Sequence, residues 1–85
     1  MNEVVIRGNI QEEEYYSNYT LVNITILECS SIGSYAFYYC YNLEEVKISG
    51  DLTNISQGCF NYCYRLKKVQ LPSCIRFIEQ NAFRG

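Results

Sequence analysis

Eighty-five residues with seven basic and nine acidic side chains carry a net charge of −2, which allows one small domain and offers no basic excess for a nucleic-acid backbone. No apolar run reaches the length of a transmembrane helix, and the opening MNEVVIRGNIQEEE has an acid where a signal peptide needs a basic end. The chain has no histidine, so the Ser–His and Cys–His couples that most often activate a nucleophile are missing.

Residues 1–9 contain Val4-Val5-Ile6, read as a leading strand or cap. The coil 10–31 follows, with Leu21, Ile24 and Ile26 spaced for a short strand buried on one face. The next coil, 32–54, spells Ile32, Ala36, Phe37, Cys40, Leu43, Val46 and Ile48. The coil 55–77 repeats that order 23 positions on, as Ile55, Cys59, Phe60, Cys63, Leu66, Val69 and Leu71. A partial coil, 78–85, starts the phrase again at Ile78, Ala82 and Phe83. A fixed period of this size marks a solenoid, in which each coil is covered only by its neighbour. Strands related by such a repeat run parallel, each joined to the next by a crossover.

The second half of each coil, 33–40 and 56–63, places Ala, Phe and Cys at helix-like offsets, so a turn or two of α- or 3₁₀-helix is expected there. Ala36, Cys59 and Ala82 share one small-residue position, which Glu14 occupies in the first coil. A carboxylate buried there unpaired would be costly, so residues 11–18 are expected to splay outward.

The spaced positions Ile, Ala-Phe, Cys, Leu, Val and Ile, with Pro72 after the last strand, resemble the BspA-like leucine-rich repeats over about residues 21–85 and loosely over 1–20. The resemblance implies an α/β solenoid, a right-handed leucine-rich-repeat coil with short parallel strands on one face and short helical or 3₁₀ segments on the other. It also implies a surface adhesion or protein-binding module, with a host or matrix surface protein as the class of partner. The chain departs from the family at Glu14-Tyr15, which replaces Ala-Phe, and at Asn18, which replaces Cys.

In-phase stacking lines outward residues into ladders about 4.8 Å apart. They read Asn2–Val22–Glu44–Lys67, Glu3–Asn23–Glu45–Lys68 and Val5–Thr25–Lys47–Gln70. Both acids of one rung fall beside both lysines of the next, although apolar positions alone define the register. The face is either a solvated surface with compensated charge or a partner-binding surface centred on Asn23, Thr25, Glu45, Lys47, Lys68 and Gln70. The strand bounded by Leu66 and Leu71 is the edge through which the chain would self-associate.

Five cysteines invite a disulfide or zinc reading. Cys29 and Cys74 lie two coils apart, about 10 Å, beyond the ~7 Å limit for a bridge. Cys59 and Cys63 sit four apart on one short segment, and no C-x₂-C pair exists. Reduced, buried thiols used as small apolar fillers are expected, with no metal or cofactor. Tyr19, Tyr41 and Tyr64 form one ladder and Tyr39 and Tyr62 another, with packing against neighbouring rings and partner contact as the two readings. Asn18, Asn23 and Asn54 open glycosylation sequons, which matter only in a secreted protein.

Without histidine or a phosphate loop, no catalytic residue is assigned and an enzyme is not expected. The functional reading is a non-catalytic binding or adhesion module; the alternative is an intracellular scaffold fragment without a ligand. A complete chain would stay in the cytoplasm, whereas a piece of a longer one would follow its parent, to the cell surface by the family resemblance.

Overall fold

A computed structural model describes residues 3–84. Among these residues six short strands form: β1 (Glu3–Arg7), β2 (Asn23–Leu27), β3 (Glu45–Ile48), β4 (Asn54–Ile55), β5 (Lys68–Gln70) and β6 (Phe77–Ile78). β1, β2, β3 and β5 make one parallel sheet in that order, and β4 pairs with β6 in a second. Glu3 faces Asn23, Asn23 faces Glu45, and Glu45 faces Lys68, each pair one repeat apart. These successive parallel pairings make a β-solenoid.

Alternation explains what the coils enclose. Ile24, Ile26, Val46 and Ile48 point inward and are buried, while Thr25 and Lys47 between them point out. Leu21, Leu43, Phe37, Phe60, Leu52 and Ile55 complete one continuous core, against which Val4, Ile6, Tyr15, Leu66 and Leu71 pack.

The expected helical segments are not helices. Ala36, Tyr38 and Cys40 donate their N–H groups to the carbonyls of Gly33, Tyr35 and Phe37, three residues back. The residues between them, Tyr35, Phe37 and Tyr39, donate instead to Gln57, Cys59 and Asn61 of the next coil. The same alternation runs through 13–18 and 58–63. Each three-residue bond closes a turn, and the third residue of alternate turns has positive φ: Glu13, Tyr35, Gly58 and Asn81 in one column, Ser17, Tyr39 and Tyr62 in another. That is the type II signature. An α-helix sends every N–H back along its own chain and is about 10 Å across. It would leave no bond between coils stacked about 4.8 Å apart, so stacking selects the turn ribbon over the helix.

Residues 11–18 do not splay outward either. Glu13, Tyr15 and Ser17 donate to Ser34, Ala36 and Tyr38, and the Tyr15 ring stacks on Phe37 at 5.3 Å. Glu14 escapes burial because its side chain is exposed, and its Oε1 accepts the Gln11 N–H at 2.8 Å.

A second ladder runs along the isoleucine corner of each coil. Ile10 bridges to Ile32, and Ile55 pairs with Ile78. Gly33 N–H reaches Ile10 O and Glu79 N–H reaches Ile55 O, both at 2.8 Å. At the rung between them the Ser56 hydroxyl donates to Ile32 O at 2.6 Å.

Candidate functional site

The strand face is built by parity. Because Val46 and Ile48 bury, Glu45 and Lys47 must point away from the core, and β2 and β5 repeat the arrangement with Asn23, Thr25, Lys68 and Gln70. Parallel register then sets Glu3, Asn23, Glu45 and Lys68 in one row and Val5, Thr25, Lys47 and Gln70 in the next. The sheet therefore gathers all six residues singled out in the sequence. The row that would begin at Asn2 starts outside the described residues.

The charges behave differently from one another. Lys67 Nζ lies 3.5 Å from Glu44 Oε1, an exposed pair of the kind that contributes at most ~1 kcal/mol. Glu45 and Lys68 share a row, yet among the described residues neither forms an ion pair within 4.0 Å, nor does Lys47. Thr25 Oγ1 donates to Glu3 Oε2 at 2.7 Å. A shallow groove of about 210 Å³ crosses this face between Thr25, Leu27, Lys47, Ile48, Ser49 and Gln70. β5 is the sheet's outer strand, so its far side meets no strand among the described residues.

The cysteines are free thiols, with Cys29, Cys40, Cys59 and Cys63 buried and Cys74 half-buried. Cys40 Sγ donates to Tyr15 O at 3.1 Å and Cys63 Sγ to Phe37 O at 3.2 Å, each to the preceding coil. They serve as small fillers that also satisfy a carbonyl. Burial pushes the Cys59 and Cys29 thiols above the ordinary range, which keeps them protonated.

Aromatic side chains define the opposite side. Tyr15, Phe37, Phe60 and Phe83 stack in a column with centroids 5.2–5.3 Å apart. Tyr39 and Tyr62 form the expected pair at 5.5 Å, as do Tyr41 and Tyr64. Among the described residues no ring contact joins Tyr19 to Tyr41; Tyr19 is exposed, and its carbonyl accepts from Asn42 Nδ2. Sequence reading missed the stacked pair Tyr16–Tyr38, 4.9 Å apart, and with it a second groove beside Asn61. The available signal was Asn61 itself, which stands one repeat after Tyr38.

Among the described residues, no helix is long and apolar enough to cross a membrane. No curated protein and no solved structure matches the chain. A family model described as a BspA type leucine rich repeat region (6 copies) matches residues 8–85. The chain belongs to that family.

Proposed function

We propose that this BspA-type leucine-rich-repeat chain is a non-catalytic protein-binding module that uses its outward strand face. The contact residues are Asn23, Thr25, Glu45, Lys47, Lys68 and Gln70. The observation that carries this reading is the unspent charge on the face: Glu45, Lys47 and Lys68 sit on neighbouring paired strands without ion pairs among the described residues. Held in fixed rows, such groups present a set pattern to a partner without needing to be freed from one another. The partner class is a surface or matrix protein with a complementary mixed-charge patch.

The test is binding to a panel of purified surface and matrix proteins, read by interferometry, for the wild type and the double variant Glu45→Ala/Lys68→Ala. The expected result is at least one binder that the double variant weakens about tenfold or more. Equal binding by both proteins, with melting curves unchanged, would reject the strand face. No binder at all would favour a structural scaffold role instead.

A further inference from the structure

The turn ribbon stacks Tyr16, Tyr38, Asn61 and Arg84 in one column, because Ser17, Tyr39 and Tyr62 donate to the carbonyls of Tyr38, Asn61 and Arg84. The rings of Tyr16 and Tyr38 stack at 4.9 Å. Asn61, the next rung, is too short to continue the stack. A groove of about 340 Å³ opens there, lined by Glu13, Tyr16, Tyr35, Tyr38, Asn61 and Tyr62.

The walls of this groove are held in place. Tyr35 and Tyr62 each meet Tyr38 edge-on, at 5.6 Å and 75–76°. The Tyr35 ring lies against Gly58 so closely that a Cβ on Gly58 would come within 2.3 Å of it. At the floor, Asn61 is 8% exposed, and its Oδ1 is buried without a hydrogen-bond partner. A buried acceptor left unmade is costly and rare in a native fold, so this one calls for a donor from outside.

The sign of that donor follows from the lining. The rings offer negative π faces, Glu13 offers an exposed carboxylate, and the unpaired Asn61 oxygen lies buried beneath them. Among the described residues no lysine or arginine lines the groove; Arg84, the next rung of the column after Asn61, has an exposed side chain. An anion would meet a carboxylate and no cation. A neutral sugar would leave the carboxylate without a charge partner. An ammonium or guanidinium group has only donors to give and carries the complementary charge.

We infer that this groove receives a cationic side chain, lysine or arginine, presented by a protein partner. The site lies away from the strand face and does not depend on the role proposed for that face.

The probe is a capped Gly-Lys-Gly peptide, followed by the ring resonances of ¹³C-labelled tyrosine. Its control is the same peptide with norleucine in place of lysine. Saturable shifts with the lysine peptide and none with norleucine are expected. Glu13→Gln, at an exposed site, should weaken binding about threefold, and Tyr16→Leu about threefold to fivefold. Asn61→Ala should abolish it, while Lys68→Ala on the strand face should leave it unchanged. Equal response to the norleucine peptide, response to a neutral disaccharide only, or unchanged affinity in both Glu13→Gln and Tyr16→Leu would each overturn the inference.

Discussion

The rings of Phe37 and Phe60 lie parallel, 5.3 Å between centroids and 1° apart in plane. That spacing is barely wider than the ~4.8 Å between paired strands on the other side of the coil. Helices behind the strands would have packed 8–10 Å apart and fanned the coils into a horseshoe. Here turns stand behind the strands, so both sides rise almost equally and the strand face stays close to flat.

The column makes Phe37 and Phe60 the most stability-critical side chains. Both are fully buried and each touches a ring on either side. Phe60→Ala should lower stability by about 3–5 kcal/mol. Phe83→Ala should cost much less, since Phe83 is 38% exposed and stacks on one side only. Urea midpoints of the two variants check this ordering, and equal losses would contradict it.

The Ser56 hydroxyl stands in for a missing backbone donor at Ile32 O. Ser56→Ala should therefore leave that part-buried carbonyl unsatisfied and cost about 1–3 kcal/mol. Ser49→Ala is the comparison, because its hydroxyl contact with Ile26 O is long at 3.5 Å while the Ser49 N–H already bonds that carbonyl. Chemical denaturation should separate the two.

Glycine is required at Gly50 more than at Gly8. Both have positive φ, +127° and +91°. A Cβ on Gly50 would come within 2.4 Å of the Cys29 backbone, whereas one on Gly8 meets nothing within 4 Å. Gly8→Ala should cost only the conformational strain, about 1–2 kcal/mol. Gly50→Ala should lose the cooperative thermal melt altogether or shift it far more.

Alkaline pH should destabilise the fold. Burial raises the Cys59 and Cys29 thiols above 9.0, and burial, together with the nearby Glu14 carboxylate, raises the Tyr15 hydroxyl above 10.0. Above about pH 9 the unfolded chain loses these protons first, so it binds fewer protons than the folded one and stability falls as pH rises. Below that range both states are protonated and the contribution is constant. Urea midpoints from about pH 7 to pH 11 should decline on the alkaline side. Cys59→Ala should flatten the decline, and an unchanged slope would reject this assignment.

Much of the architecture was legible residue by residue. Leu43, Val46 and Ile48 recurring at Leu66, Val69 and Leu71 placed the strands, and parity placed Glu45 and Lys68 in one row. The turn ribbon was not read, although a clue was present. Gly58 and Asn81, two residue types that tolerate positive φ, share a column with Tyr35. The helix-like spacing of Ala36, Phe37 and Cys40 masked it, since the ribbon of turns buries these same three positions.

By itself the sequence determined the period, the inward positions and therefore the register of the parallel sheet, because apolar spacing is written along a single chain. Only the tertiary structure decided where the backbone N–H groups go, since half of those in the turn ribbon bond to the neighbouring coil rather than to their own. It also decided that Asn61 would lie buried with an unpaired oxygen at the foot of a tyrosine groove. An unpaired acceptor is defined by what does not surround it, and that is settled only when the coils stack.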